Sequence, residues 1–433
     1  MNNMRKYNVL DLFSGAGGMA EGFLQAGFDI PFASDYSKEA ALTYINRHKQ
    51  LGLDIDFYQG DVSKLSKGNF LKNRIGDKKI DVIIGGPPCQ GFSLTGKRNP
   101  DDHRNRLFID FLKIIKKIKP EYFVMENVLG ILSFKFEEIV GLSGHKYIDT
   151  YVTDVLTQEA LEFGYKISWK TLNAKDYGVP QNRIRVIFIG NKVLKRNGKI
   201  HNKNNVPNFP KKQISNISVH EAISDLNFLE NGESSKLYLN DNNLTEYQKL
   251  LKFGQTPNVK NEFISATELF NHHSSKHNKN TITRFKLLKN GEKINELLKR
   301  LEDELSTEEF QKIKTKKRSC YKLQKEGLSP TILTLPDDIV HYDDNSPRIL
   351  TVREFARLQS FDDSFCFYGK RTTGGDRRKL ETPQYTQVGN AVPPFFARAI
   401  ALEIKKALNS NLISKEIKPC HKEKHFDLEL IQN

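Results

Sequence analysis

One cysteine stands where its neighbours suit chemistry. Cys89 lies in Gly85-Gly86-Pro87-Pro88-Cys89-Gln90-Gly91-Phe92-Ser93, directly after a short apolar run. Two prolines stiffen the backbone there, and the glycines let a ligand approach closely. A thiolate is the nucleophilic form of cysteine, and cations or a helix N-terminus favour it. A small buried hydrophobe is the plainer reading of an isolated cysteine, but this setting favours a nucleophile. Glu126 ends another apolar run in Met125-Glu126-Asn127-Val128. A carboxyl group there would face the same cleft and could pass a proton to a ring nitrogen, or it could simply cap a helix. In Gln181-Asn182-Arg183-Ile184-Arg185, alternate residues of an extended segment share a face. Gln181, Arg183 and Arg185 are therefore expected to point together, toward an anion or a polarised carbonyl. A surface ion-pair ladder is the alternative.

A second group of residues suits a nucleoside. Asp11-Leu12-Phe13-Ser14-Gly15-Ala16-Gly17-Gly18 takes a strand into a glycine-rich turn that opens a helix. Such a turn brings backbone close to a ligand, although the spacing is not the dinucleotide fingerprint G-x-G-x-x-G. Asp35 and Asp61 close the next two strand-like runs. Ligands of open α/β sheets bind outside the carboxyl ends of the strands. Asp35 could there hold ribose hydroxyls and Asp61 an adenine amino group, which fits a cofactor lacking phosphates. Taken singly, each acid reads as well as a cap or a turn residue.

These residues need elements to hold them. Over 7–190, short apolar runs alternate with stretches of helical spacing such as Leu107, Phe108, Phe111, Leu112, Ile115 and Ile118. That alternation predicts an α/β fold with a parallel, doubly wound sheet. Ser37 is a candidate N-cap and Gly27 a candidate helix stop. Residues 191–330 are rich in Asn, Lys and Ser, with weak strands and partial helical character over 285–304 and 308–326. Clear helical spacing returns at 348–361, and 387–408 reads as a loop followed by an amphipathic helix.

The chain has 433 residues, enough for about two to three domains. Its net charge is +15, of which residues 191–330 carry +10. A basic region of that size suits nucleic acid or a solvated surface. The four cysteines form no C-x-x-C pair, so neither a disulfide framework nor a zinc site is expected. No metal is expected either, and His272, His273 and His277 read as a solvated loop. With no long apolar run and no signal-peptide pattern, no membrane span is expected and the bacterial cytoplasm is the expected location.

In their order, DLFSGAGG, GGPPCQGFS, RNRLF, MENV, QNRIR, RILTVREFARLQSF and QVGNAVPP make the chain resemble the bacterial cytosine-C5 DNA methyltransferases of type II restriction-modification systems, over most of 7–190 and 347–408. The resemblance implies an S-adenosylmethionine-dependent methyltransferase fold, a Rossmann-like doubly wound sheet with a smaller, irregular target-recognition domain. It assigns 1–190 to catalysis and cofactor binding, 191–346 to target recognition, 347–410 to the hinge and return, and 411–433 to a polar tail. By the same resemblance Phe13, Ser14, Gly15, Gly17 and Gly18 form the cofactor loop. Asp35 binds ribose and Asp61 adenine, with Tyr36 and Val62 beside them. Pro87, Leu107, Asn390 and Ala391 complete the pocket. Asp35 stands where the family more often has Glu, one methylene longer. The implied mechanism uses Cys89 as covalent nucleophile on cytosine, Glu126 at N3 and the exocyclic amine, and Arg183 at O2 or the adduct, with Gln181 and Arg185 in the same catalytic set. Arg353 and Arg357 brace the two domains or touch phosphate, and Lys312-Ile313-Lys314-Thr315-Lys316-Lys317-Arg318 grips phosphate. The implied substrate is a cytosine flipped out of double-stranded DNA. The enzyme is expected to be a monomer associated with the nucleoid through DNA. A cognate restriction endonuclease would be a functional, not necessarily physical, partner. Two alternatives stand beside this reading: a tRNA cytosine-C5 methyltransferase of the same fold, and a catalytically silent DNA-binding regulator.

Overall fold

A computed structural model describes residues 6–88, 106–196, 199–213, 216–239, 243–315, 320–334, 339–375, 377 and 380–416. The chain opens with β1 (Asn8–Leu12), α1 (Gly18–Gln25), β2 (Asp29–Asp35), α2 (Lys38–Gln50) and β3 (Asp56–Gln59). α3 (Phe70–Ile75), β4 (Val82–Gly85), α4 (Leu107–Ile118) and β5 (Tyr122–Asn127) follow. The expected local signals act as read. The Ser37 hydroxyl caps α2 by accepting the Ala40 N–H at 3.1 Å, and Gly27 (φ 79°) turns the chain after α1. On α4, Phe108, Phe111, Leu112 and Ile115 are buried while Leu107 and Ile118 pack at its margin.

Strands β1 to β5 are parallel, in the order β3-β2-β1-β4-β5. The sheet as a whole is not, which corrects the expectation of a parallel sheet. β9 (Ile184–Arg196) runs antiparallel to β5 on one side and to β8 (Tyr165–Asn173) on the other. The link between β8 and β9 holds only a one-turn helix, too short for a parallel crossover, so β9 must return antiparallel. Residue 190 falls inside β9, whose far end pairs with β10 (Lys199–Asn202). The hairpin of β6 (Lys135–Val140) and β7 (Lys146–Tyr151), followed by α5 (Val152–Glu162), lies between β5 and β8 in the chain.

Beyond β10 the described chain has short helices: α6 (Val219–Ile223), α7 (Glu246–Phe253), α8 (Lys279–Leu287), α9 (Ile294–Leu301) and α10 (Thr307–Ile313). Its strands there, β11 (Tyr321–Lys322) and β12 (Ile339–Val340), are two residues each. Phe285, Leu288, Ile294, Leu297, Leu301, Ile313, Cys320, Val340 and Ile349 form a small separate core. By contrast, residues of α6 and α7 share a core with α11 (Val352–Leu358) and α12 (Gln384–Asn390). The stretch read as a loop at 387–390 is thus the end of α12. After the turn at Ala391, α13 (Pro394–Glu416) lies along α1, where Phe396, Ala397, Ile400 and Ile404 share one core with Phe23 and Leu24. Gly22 permits that contact: a Cβ there would sit 2.5 Å from the Ala397 Cβ and from the Arg398 N. Among the described residues no helix is long and apolar enough to cross a membrane.

Candidate active site

The glycine turn after β1 is built from unusual backbone. Phe13 (φ 54°), Gly15 (φ 55°) and Gly17 (φ 100°) all take left-handed conformations, which only glycine adopts at little cost. The Ser14 N–H donates to the Ser34 carbonyl at 3.0 Å, tying the turn to β2. The Asp35 carboxylate accepts the Gly15 N–H and the Ser37 N–H, each at 2.8 Å. Burial raises its pKa, and those N–H groups pull it back down. Beneath the turn, the Tyr44 ring lies 3.0 Å from where a Gly17 Cβ would be, and the Tyr44 hydroxyl donates to Asp11 at 3.1 Å. This buttress escaped sequence reading. Its one signal was an acid, Asp11, inside an apolar strand.

Gly18 explains how the distant turn reaches the site. A Cβ at Gly18 would meet the Val392 carbonyl at 2.3 Å and the Ala391 Cβ at 3.1 Å. Without a side chain at 18, Ala391 packs directly over the start of α1, and Asn390 beside it is exposed. The Gly60 N–H donates to the Asp35 carbonyl at 2.9 Å, which brings the Asp61 turn alongside. Asp61 caps the one-turn helix after it by accepting the Ser63 N–H at 2.9 Å, and that bond lowers its pKa. Val62 is buried and Tyr36 is 80% exposed beside Asp35. Leu107 begins α4 and packs on the same core as Phe13. The residues fit a nucleoside-bearing ligand on two counts. A Gly15 Cβ would meet nothing within 4 Å, so the turn faces open space. Among the described residues the buried Ser14 Oγ has no hydrogen-bond partner.

Cys89 lies outside the described residues, but the approach to it is described. β4 pairs with β5 as far as Gly85 opposite Met125. A Cβ at Gly86 would come within 3.3 Å of a Glu126 carboxylate oxygen, so this glycine leaves the acid room. Pro87 is buried and its carbonyl accepts the Asn127 side-chain amide at 3.1 Å. Glu126 forms an ion pair with the Arg185 Nε at 2.8 Å, their side chains 12% and 13% exposed.

The Gln181, Arg183 and Arg185 set is split, against expectation. Gln181 is buried, donating to the Leu358 carbonyl and the Gln359 side chain and accepting the Ile332 N–H. Arg183 is buried as well and donates to the carbonyls of Ile332 at 3.4 Å and Gly389 at 3.0 Å. Only Arg185 reaches Glu126. The reason is local. Residues 181–183 precede β9, whereas Arg185 lies within it, paired with Leu172 of β8.

Arg353 and Arg357 are braces. Arg353 donates to the carbonyls of Phe270, Asp362 and Phe365. Arg357 clamps Asp363 at 2.6 Å and Asp225 at 3.0 Å. Lys312 pairs with Glu308 at 2.7 Å, and Lys316, Lys317 and Arg318 lie outside the described residues. His272 is not solvated as expected: it is 2% exposed and its Nδ1 lies 3.1 Å from the Thr351 hydroxyl. Among the described residues no group of His, Cys, Asp and Glu is arranged to hold a metal ion.

Known proteins carry the same plan. Residues 7–406 match the family model for C-5 cytosine-specific DNA methylase. The type II methyltransferase M.DdeI of Desulfomicrobium norvegicum is 36% identical over 94% of this chain and 91% of its own. M1.HphI of Haemophilus parahaemolyticus, also a type II methyltransferase, is 33% identical over 93% and 87%. A solved prophage-encoded chain from E. coli, assigned as a DNA modification methyltransferase, superposes with a TM-score of 0.67 at 26% identity, covering 93% of this chain and 100% of its own. The glycine turn, the paired Glu126 and Arg185 and the match along nearly the whole chain lead to one conclusion: this protein belongs to the C-5 cytosine-specific DNA methylases, enzymes that methylate cytosine in DNA.

Proposed function

We propose that this DNA cytosine methylase uses S-adenosylmethionine as donor and Cys89 as nucleophile, on a cytosine turned out of duplex DNA. The observation that carries the reading is the Glu126–Arg185 pair, held at 2.8 Å beside the strand end that leads to Cys89. The Cys89 thiolate attacks C6 of the base, which breaks aromaticity and makes C5 nucleophilic. Glu126 hydrogen-bonds N3 and the exocyclic amine, and so limits negative charge on the ring. Arg185, rather than Arg183, is the cation placed to orient Glu126 and to support the base's O2. The bound donor supplies a methyl group that C5 accepts. Loss of the C5 proton then expels the thiolate and restores the ring.

Asp35 and the Phe13–Gly18 turn would hold the donor's ribose and amino-acid part, and Tyr36, Asp61 and Val62 its adenine. Leu107, Pro87, Asn390 and Ala391 would close the pocket. The basic segment within 191–346 would grip phosphates and read the target. The relatives are named as type II methyltransferases, which supports a sequence-specific modification role, with a cognate endonuclease as functional partner. We place the enzyme in the bacterial cytoplasm, on the nucleoid, as a monomer. The family's DNA specificity favours this reading over a tRNA methylase.

Cys89→Ser tests the mechanism. Methyl transfer to DNA should vanish while donor binding stays near that of the parent. Retained transfer would reject Cys89 as nucleophile. Bisulfite sequencing of DNA from expressing cells should show C5 methylation in one sequence context.

A further inference from the structure

Residues 329–334 lead from the 191–346 segment back to the site, and hydrogen bonds fix them there. The Ser329 N–H donates to the Pro180 carbonyl at 3.0 Å, and the Asn182 N–H donates to the Ser329 carbonyl at 2.8 Å. The Thr331 hydroxyl donates to the Asn182 carbonyl at 2.8 Å. The Gln181 side chain accepts the Ile332 N–H at 3.0 Å, and Arg183 donates to the Ile332 carbonyl at 3.4 Å. Further on, the Leu333 carbonyl packs on Gly389, where a Cβ would stand 2.4 Å from its oxygen. The segment therefore bridges from the residues before β9 to the end of α12. Arg185, two residues beyond Arg183, pairs with Glu126, and two residues of extended chain cover about 7 Å. Side chains of an extended segment alternate in direction. Ile332 is 1% exposed and faces the core, so Leu333 faces the other way and is 44% exposed.

A single exposed leucine is ordinary on a protein surface. Leu333 differs in its place and its stiffness: the backbone before it is bonded to 180–183, its own carbonyl rests on a glycine, and it stands beside the groups that frame the Glu126–Arg185 pair. A base that leaves a duplex gives up its stacking, and an apolar side chain entering the vacated step offsets part of that loss. We infer that Leu333 is the wedge that enters the base stack where the target cytosine leaves it. The inference rests on the proposed extrusion of that base. Leucine suits the task because it carries no polar atom that the stack would leave unsatisfied. Its anchorage suits the task as well. The bonds to 180–183 set the wedge and the Glu126–Arg185 pair in one frame, so the side chain enters the stack as the base reaches Glu126.

The test uses the full chain, S-adenosylmethionine and a duplex carrying the site mapped by bisulfite sequencing. Single-turnover methyl transfer is timed on the paired duplex and on the same duplex with the target cytosine mispaired, from which extrusion costs less. Leu333→Ala should slow transfer about tenfold on the paired duplex, the lower end of what burying a leucine is worth. On the mispaired duplex the loss should shrink below about threefold, because extrusion then holds the rate back less. Leu333→Met, which keeps an apolar side chain of similar length, should recover most of the rate on paired DNA. The melting temperature of Leu333→Ala should match the parent's, since the side chain it removes is exposed. An unchanged rate on paired DNA would overturn the inference. So would an equal loss on both duplexes, which would mark a role in positioning rather than extrusion. A duplex with 2-aminopurine at the target position separates the underlying reading, because this base brightens when unstacked. A parent protein that leaves it dark would overturn extrusion itself, and the wedge with it, whereas a bright parent with a variant as fast as itself overturns the wedge alone.

Discussion

Gly22→Ala puts two opposed magnitudes in competition at the crossing of α1 and α13. In an open helix, replacing glycine with alanine gains about 1 kcal/mol, because alanine loses less backbone entropy on folding. Here the added Cβ would stand 2.5 Å from the Ala397 Cβ, 2.5 Å from the Arg398 N and 2.6 Å from the Pro394 carbonyl. Each contact is roughly 1 Å inside van der Waals range. Two of the three partners are backbone, so no rotamer change relieves them, and α13 must withdraw by a comparable distance. Overpacking of a tight core costs about 1–3 kcal/mol. Withdrawal also loosens Phe396, Ala397, Ile400 and Ile404, which are buried in the same cluster as Phe23 and Leu24. The loss outweighs the helical gain, giving a net destabilisation of about 1–3 kcal/mol. Urea unfolding followed by circular dichroism should show a lower midpoint, and Ala397→Gly in the same chain should recover part of it but not all. A Gly22→Ala protein as stable as its parent, or more so, would refute the claim that the helices touch at this residue.

Other substitutions separate chemistry from scaffolding. Arg185→Ala should lower kcat by about 10²–10³, as loss of a preorganised electrostatic group does. Arg183→Ala leaves the buried carbonyls of Ile332 and Gly389 short of a donor, so it should show mainly as a lower melting temperature. Identical melting losses for the two would contradict their assignment to different tasks. Gly18→Ala drives a Cβ into the Val392 carbonyl and displaces the Asn390–Ala391 turn. Titration calorimetry should give donor affinity weaker by roughly tenfold. Acid should also destabilise the fold. Burial depresses His48, His272 and His341 to about 4. The unfolded imidazoles take up protons below about 6.5, so this stability is complete above that pH and is lost as pH falls toward 4, at roughly 3 kcal/mol or less apiece. Asp362, raised to about 6 by burial, works the other way, its contribution being lost as pH rises through 6. Asp11, Asp35 and Asp225, also raised by burial, oppose the imidazoles in the same sense. The histidine contribution is therefore read by difference: His48→Gln should lessen the fall in urea midpoint from pH 7 to pH 5, and an unchanged fall would count against a buried neutral His48.

Much of residues 7–190 was legible because its signals are local. Apolar runs mark β1, β2, β4 and β5, the Ser37 cap starts α2, and strand-end placement drew attention to Asp35, Asp61 and Glu126. Signals that depend on distant partners were not legible. The antiparallel course of β9 follows from the short link after β8, and an apolar run does not reveal strand direction. The parting of Arg183 from Arg185 depends on where β9 begins. Gln181 and Arg183 read as site residues because polar side chains in a row suggest a ligand. Their partners include the backbone at Ile332, Leu358 and Gly389 and the Gln359 side chain, far away in sequence. The burial of His272 likewise depends on Thr351.

The seating of α13 on α1 bears on how the enzyme is made. Residues 394–408 leave the ribosome long after the glycine turn, the strand ends and Glu126 have emerged, yet Phe396, Ala397, Ile400 and Ile404 among them cover the apolar face of α1 behind that turn. A nascent or prematurely terminated polypeptide would therefore carry the glycine turn and Glu126 without the packing that supports the proposed donor pocket. If 191–346 reads the target as proposed, methylating capacity would switch on only after that segment has been made.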